Sequence, residues 1–286
     1  MKIRICFVPA IMALLFSMLV SFSSQAYARH WQWIESNDYY GYFVDTESIK
    51  PNVDGAGQFN SANLWLKVQY SEQGLRNDWE NKLEPWMNVS ELLKGSTMIN
   101  MDIDFFSGEI SVYSRDFVDQ EGNVRFHSKY FKTNVDRHVF YAPVFAYVED
   151  YLTGDGCYNH LKNGGIIPIT GSKDLGLYYM AWRTRYSKKI NDLIVPEYVF
   201  RKFPTGTSEI VYYLTPDFKG QAMQSAWAEF KPEGGAWHKD DKYSEPKSIV
   251  PGSVGEVAFM KLKDYIEQNH DFVYRFNDEK LKMKQQ

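Results

Sequence analysis

Aromatic side chains are the main chemical excess of this 286-residue chain, which contains 20 Tyr, 19 Phe and 8 Trp. Tyr and Trp rings offer large, rigid contact areas that can stack on sugars or insert into a protein partner. The densest group lies near the start of the chain, and two more tryptophans lie in a segment predicted as a loop or short helix. The candidate binding residues are therefore Trp31, Trp33, Tyr39, Tyr40, Tyr42, Trp79 and Trp86. Because aromatic residues also favour half-buried sheet surfaces, the alternative is that these rings form a sheet core.

Carboxylates and histidines could supply a different chemistry. Asp102 and Asp104 occupy alternate positions of one predicted strand, and glycoside hydrolysis needs two carboxyl groups held in unlike environments. His127 and His238 follow similar turns, but neither has a second ligand at the spacing of a metal site. These four residues also have a non-catalytic explanation. The aspartates can form the solvated face of a strand, and the histidines can lie in solvent at strand ends. We therefore expect no catalytic residue, metal or cofactor, and an envelope hydrolase that uses these carboxylates or histidines is the alternative.

The first 28 residues have the pattern of a secretory signal peptide. Lys2 and Arg4 precede an apolar run from Ile5 to Val20, and Ala26-Tyr27-Ala28 provides the small residues of a cleavage site. The run is shorter than the roughly 20 apolar residues that cross a bilayer. We expect cleavage after residue 28, no membrane span in the mature chain, and export from a bacterial cell to the periplasm, the cell surface or the medium.

The charge balance argues against nucleic acid as a partner. Removing Lys2 and Arg4 from the 32 basic residues leaves 30 against 36 acidic residues, which is a net charge of −6. Nucleic-acid binding depends on clustered Lys and Arg that neutralise phosphates. Cys157 is the only cysteine beyond the signal segment, so an intrachain disulfide is excluded in the mature chain.

The rest of the chain reads as two copies of one unit. Four pairs of segments recur in the same order at offsets of 112 to 116 residues: 65–71 with 182–187, 104–109 with 216–221, 119–123 with 231–235, and 149–151 with 263–265. Each match is weak alone, but the common order and spacing indicate a duplication.

Hydrophobic periodicity predicts the elements of each copy. Apolar and polar residues alternate in Ile99–Phe105, which is typical of a strand with one solvated face, and glycines follow at predicted turns. The ends of both copies, 142–152 and 255–268, show helical spacing, and Ser253 or Gly252 can cap the second helix. The expected fold class is α+β, with two repeated units that each form an antiparallel β-meander sheet closed by a C-terminal helix. We assign 29–152 to the first unit, 153–172 to a Gly-, Asn- and Asp-rich linker, and 173–286 to the second unit with a short polar tail.

Short motifs resemble the surface-adhesin protein E-like family of bacterial exported proteins. The motifs are Trp33-Ile34-Glu35-Ser36, the run from Tyr42 to Ile49, Trp65-Leu66-Lys67, and the Pro251-to-Glu256 segment before the closing helix. The resemblance implies a small antiparallel sheet packed by a C-terminal helix and an outward-facing binding role. This chain departs from the family pattern in being duplicated and in lacking the cysteine pair that many members carry.

Three functional classes remain open. The prediction is an exported, non-catalytic, adhesion-like binding protein with a protein or glycan partner at the cell envelope. The envelope hydrolase is the second class. The third is a structural protein whose copies pair their sheet edges.

Overall fold

The computed structural model describes residues 30–79, 83, 87–137, 139–172, 174–241 and 244–284. The predicted signal segment and Trp86 lie outside the described residues. The fold is α+β and is built on two antiparallel sheets, as the alternation of apolar and polar residues predicts. Among the described residues, no helix combines the length and the apolar character needed to cross a bilayer.

The first unit is a sheet with the strand order β1-β2-β4-β5-β6-β7, in which β3 also pairs with β4 and β8 with β6. Its strands are β1 (Trp31–Ser36), β2 (Tyr40–Asp45), β3 (Lys50–Val53), β4 (Gln58–Tyr70), β5 (Ser96–Asp104), β6 (Glu109–Val118), β7 (Val124–Ser128) and β8 (Phe131–Asn134). Its helices are α1 (Glu72–Trp79), α2 (Val89–Leu92), α3 (Ala142–Thr153) and α4 (Cys157–Lys162).

The second unit has the sheet order β15-β14-β13-β12-β10-β9, in which β11 also pairs with β12 and β16 with β14. Its strands are β9 (Ile167–Gly171), β10 (Leu175–Tyr179), β11 (Arg185–Ser187), β12 (Asp192–Phe203), β13 (Gly206–Asp217), β14 (Ala222–Lys231), β15 (His238–Asp240) and β16 (Lys247–Ser248). The chain then forms α5 (Val254–Gln268), α6 (His270–Val273) and a last strand, β17 (Leu281–Lys282).

The second unit repeats the first strand by strand, from β9 to β16, and each series is followed by a long helix. The hairpin turn matched at an offset of about 112 residues is built alike in both copies. In the first copy Asp104 Oδ1 accepts a hydrogen bond from the Ser107 amide at 2.7 Å. In the second copy Asp217 Oδ1 accepts one from the Gly220 amide at 2.9 Å. The repeat therefore lies in the topology as well as in the sequence.

One of the four predicted matches is wrong. Trp65 lies within β4, but Trp182 lies in the 3-10 turn Ala181–Arg183, which precedes β11. By topology, the counterpart of that turn in the first unit is the 3-10 turn Thr46–Ser48, before β3. A shared Trp-to-Tyr spacing is too short a pattern to distinguish a strand from a turn.

Each long helix packs on one face of its own sheet. In the first unit, Leu64, Leu66 and Val68 alternate along β4 and contact a core that includes Phe145 of α3. In the second unit, Phe259 and Leu262 of α5 pack on a sheet core of their own. Fully burying such a side chain contributes about 1.5–3 kcal/mol. The period-2 and period-3.6 patterns therefore decide which face of each sheet is covered.

Two segments have more structure than their composition indicates. The interval 153–172, which the sequence assigns to a linker, contains α4 and the edge strand β9. The terminal segment, assigned to a polar tail, returns to the first unit, where Phe272 and Phe276 join the core and Leu281 of β17 pairs with Phe59. A few spaced apolar residues are enough to anchor such a segment once a complementary surface is present.

The two units meet through a fully buried arginine. Arg183 Nε donates to Asp136 Oδ1 at 3.0 Å, and Nη1 donates to the Phe105 carbonyl at 3.0 Å. Its guanidinium lies 4.6 Å from the centre of the Phe145 ring. Gly108, with φ of +77°, makes room for it, because a Cβ there would come within 2.6 Å of Arg183 Nη2. A side chain of the second unit is thus part of the first unit's core.

Candidate functional site

The side of the first sheet that faces away from α3 carries a group of exposed and half-buried rings. Because Leu64, Leu66 and Val68 point to the core, the intervening residues of β4 point to the open side. We call this open side the aromatic face. It consists of Trp31, Trp33, Phe43, Asn63, Trp65, Lys67, Asn100, Asp102, Tyr113 and Tyr130.

Lys67 lies near the middle of the aromatic face. Its ammonium nitrogen is 4.5 Å from the centre of the Phe43 ring and 4.9 Å from that of Trp31. The cross-strand register Trp33–Phe43–Lys67 places these side chains in one row. Partial burial lowers the pKa of Lys67. Cation–π contacts of this kind hold the rings in place and leave other ring faces open to solvent.

Hydrogen-bonding side chains lie beside the rings. Asn63 Nδ2 donates to Asp102 Oδ1 at 2.8 Å, and the Tyr113 hydroxyl donates to Asp102 Oδ2 at 2.5 Å. This bond and the Asp102 charge raise the pKa of Tyr113. The Tyr130 ring packs 5.9 Å from that of Tyr113. The face therefore combines π surfaces with amide and carboxylate groups on a rigid strand ladder.

The structure separates the candidate rings into two groups. Trp33 is 53% exposed, Tyr39 is also exposed, and Trp31 is half-buried. Tyr42 and Trp79 are only 2% and 3% exposed. These two rings are core residues, as the alternative of an aromatic sheet core predicts.

Tyr40 lies between these groups. Its ring is half-buried and meets Phe140 edge-on at 5.0 Å. Trp79 lies at the end of a short helix and is a core residue, because its indole donates to Thr97 Oγ1 at 3.0 Å and its ring lies 5.5 Å from that of Phe126. A short amphipathic helix, α1, turns this ring inward.

Several ring and polar residues of the aromatic face were missed as candidates, among them Asn63, Trp65, Tyr113 and Tyr130. Trp65 is signalled by the alternation of β4, because it stands between Leu64 and Leu66. Asn63 follows from the same pattern. Tyr113 and Tyr130, which are 49% and 51% exposed, come from β6 and the loop after β7, and no local pattern brings them next to Asp102.

The residues considered for hydrolysis have structural contacts. Asp104 accepts from both the amide and the hydroxyl of Ser107 and so closes the β5–β6 turn. His127 Nδ1 lies 2.5 Å from Asp116 Oδ1 on the exposed side of the β6–β7 pair. His238 packs against Phe230, in the other sheet. Nothing in these contacts places two carboxyl groups on either side of a bound sugar bond.

In the described part of the chain, no side chains are arranged for metal binding or for thiol chemistry. Among those residues, no group of three or more His, Cys, Asp or Glu side chains could hold a metal ion. Cys157 is buried at the start of α4, and burial raises the pKa of its thiol well above the usual value. A buried, protonated thiol is a poor nucleophile.

The corresponding side of the second sheet is not open. The first unit lies over part of it and leaves a cavity of about 560 Å³, which we call the interunit cleft. Phe106 and Asn134 of the first unit and Arg185, Ile194, Tyr213 and Trp227 of the second line it. No sequence pattern indicates this cleft, because it arises only where the two units meet.

Comparisons of the chain with family models, with curated proteins and with solved structures found no match.

Proposed function

We propose that this chain is an exported, non-catalytic binding protein whose aromatic face binds a glycan. The supporting observation is the set of exposed rings, Trp33, Tyr113 and Tyr130, on the same sheet face as the amides of Asn63 and Asn100. Sugar rings present CH surfaces that stack on aromatic faces and hydroxyls that bond to amides and carboxylates. Both kinds of group are present here at adjacent strand positions.

A glycan fits this face better than a protein partner does. The centre of a protein interface is usually depleted of charged residues. Here Lys67 and Asp102 lie within the face, each engaged by aromatic or hydroxyl groups. The strand ladder also holds the rings in place before binding, which reduces the entropy lost when a flexible polymer is bound. The proposed export and the resemblance to the surface-adhesin protein E-like family agree with an envelope glycan.

The test is a glycan array probed with the purified protein, followed by calorimetric titration of the glycans that bind. Trp33→Ala should weaken binding about fivefold, because the loss of a stacked ring costs on the order of 1 kcal/mol. Tyr151→Ala is the matched control, since Tyr151 is an exposed ring on α3, across the sheet. Its affinity should equal that of the parent protein.

Three results would overturn the proposal. One is the absence of binding to any glycan, and another is an equal loss of affinity in both variants. The third is turnover of a bound glycan that Asp102→Asn abolishes without unfolding the protein, which would favour a hydrolase.

A further inference from the structure

The interunit cleft is separate from the aromatic face and shares none of its residues. It lies on the side of the second sheet that faces away from α5, and it is bordered by the β5–β6 turn, β8 and the residues that follow. Its volume of about 560 Å³ falls within the range of about 300–1,000 Å³ that is usual for small-molecule sites. Phe106, Ile190, Ile194 and Trp227 give it apolar walls.

Most charged side chains of the cleft already have partners. Glu229 pairs with Arg137 at 3.1 Å, and Asp241 pairs with Lys239 at 2.6 Å. Glu109 pairs with Lys132 at 2.5 Å, on the rim. Lys189 and Glu279 are exposed, so solvent screens their charges.

Arg185 is different. It retains 3% of its exposure and forms no ion pair among the described residues. Its Nη1 donates to the Arg183 carbonyl at 3.3 Å, and its Nε is buried without a hydrogen-bond partner. The buried carboxylate of Asp136, whose charge acts on Arg185, is bonded to Arg183 and forms no ion pair with Arg185. Burial, and then the positive charge of Arg183, lower the pKa of Arg185 to about 10.

The local charges do not balance. Three guanidinium groups, those of Arg137, Arg183 and Arg185, face two carboxylates, those of Asp136 and Glu229. A buried charge without a counterion is strongly unfavourable, so this arrangement calls for one more negative charge. A water molecule could satisfy Arg185 Nε but would not neutralise the guanidinium.

A second unpartnered donor lies in the same cleft. The hydroxyl of Tyr213 is buried and has no hydrogen-bond partner, and Tyr213 lines the cleft together with Arg185. The Tyr213 ring is held by stacking on Trp227, with the ring centres 4.5 Å apart. A guanidinium and a phenol that share one cavity are a suitable donor pair for a carboxylate.

We propose that the interunit cleft binds a small organic monocarboxylate, whose carboxylate pairs with Arg185 and bonds to the Tyr213 hydroxyl while its apolar part packs against Phe106, Ile194 and Trp227. The surplus of one positive charge favours a monoanion over a phosphate dianion. The site requires both units, so only the duplicated chain can form it.

The test is a titration of the purified full protein with phenylacetate, hexanoate and octanoate. Binding is measured by the shift of the thermal unfolding midpoint and by NMR of the Arg Nε–H resonances. The neutral controls are phenylacetamide and hexanamide, and inorganic phosphate tests the anion class. We expect at least one carboxylate to raise the unfolding midpoint and to shift the Arg185 resonance. Its amide should bind at least tenfold more weakly, and phosphate should not protect.

The variants are Arg185→Met and Arg201→Met, which removes an exposed arginine of β12. Arg185→Met should lose carboxylate protection at least tenfold, and Arg201→Met should keep it. Arg185→Lys identifies the Arg185 resonance in the unmodified protein, so the titration remains decisive if Arg185→Met does not fold. The proposal is overturned if no carboxylate binds, if the amides bind equally well, if Arg185→Met retains the effect, or if phosphate protects better.

Discussion

Arg183 and Arg185 lie two residues apart and are both buried, but only one has a carboxylate partner. Arg183 is neutralised by Asp136 and anchored by backbone carbonyls of the first unit. Arg185 lines the interunit cleft, where its guanidinium lies 5.1 Å from the centre of the Phe106 ring but pairs with no carboxylate of the described residues. A buried pair in good geometry costs little, whereas a lone buried charge has to be offset by a ligand or by the rest of the fold. The same residue type is therefore structural in one position and proposed to bind a ligand in the other.

A half-buried carboxyl in the second sheet makes stability depend on pH. Glu197 of β12 lies opposite Tyr179 and Tyr212, and burial raises its pKa to about 7 from the usual 4.5. Because the folded-state pKa is the higher one, the folded protein holds the proton more tightly. The protonated group therefore favours folding fully below about pH 4.5, and this contribution is lost as the pH rises through about 7.

Glu197→Gln should raise the free energy of unfolding at pH 8 by about 1–3 kcal/mol, because it removes a half-buried negative charge. At pH 4 it should change that free energy by less than about 0.5 kcal/mol. Denaturant titration at both pH values measures the difference. Glu245→Gln, at an exposed position, is the control and should be neutral at both. The interpretation fails if Glu197→Gln has the same effect at pH 4 and pH 8.

At the scale of the element, the first residues of α5 and those just before it specify the N-terminal cap of that helix. Ser253 Oγ accepts from the Glu256 amide at 3.1 Å, and Glu256 Oε2 accepts from the Gly252 amide at 2.7 Å. Two amides near the helix start are thereby satisfied by neighbouring side chains. The cap predicted from Pro251-Gly252-Ser253 is confirmed, with Ser253 as the N-cap.

Ser253→Ala should lower the free energy of unfolding by about 1 kcal/mol, the usual cost of losing an N-cap acceptor. Ser253→Asp keeps an acceptor at the same position and should restore most of that loss. Urea titration of the three proteins measures both changes. Equal destabilisation by alanine and aspartate would show that the side-chain cap does not contribute.

At the scale of the molecule, the two units are joined by shared interior contacts. Arg183 enters the first core, and the terminal segment returns there through Phe272 and Phe276. Arg275 donates to Glu149 Oε1 at 2.6 Å and lies 3.2 Å from Asp155, which ties the terminal segment to α3 and the start of α4. We therefore expect the units to unfold together.

Arg183→Met should lower the free energy of unfolding by about 3–5 kcal/mol, because it leaves Asp136 charged and unpaired in the interior. Adding Asp136→Asn to that variant should recover part of the loss. Denaturant titration measures stability, and hydrogen exchange shows whether β5 and β12 lose protection together. If only one sheet loses protection, or if Asp136→Asn recovers no stability, the Arg183–Asp136 contact does not couple the two units.

Local sequence patterns predict much of this fold, but they predict few of the residues that form its exposed faces and cavities. The alternation along β4 and β5, the helical spacing of α3 and α5, the turn aspartates and the Ser253 cap are all properties of a few neighbouring residues. Such patterns are readable because strand and helix periods repeat within one segment. They predicted the fold class and the repeat, and they contain the signal for Trp65 of the aromatic face.

Whether an individual side chain is buried or exposed depends on contacts between distant segments. Trp79 and Tyr42 became core residues, while Tyr113 and Tyr130 reached the aromatic face, because other strands and helices came to lie beside them. The structure in 153–172, the return of the terminal segment and the burial of Arg185 at the interunit cleft arise in the same way. Sequence periodicity tells which side of a strand is apolar, but burial, pairing and cavities depend on which remote surface covers that side.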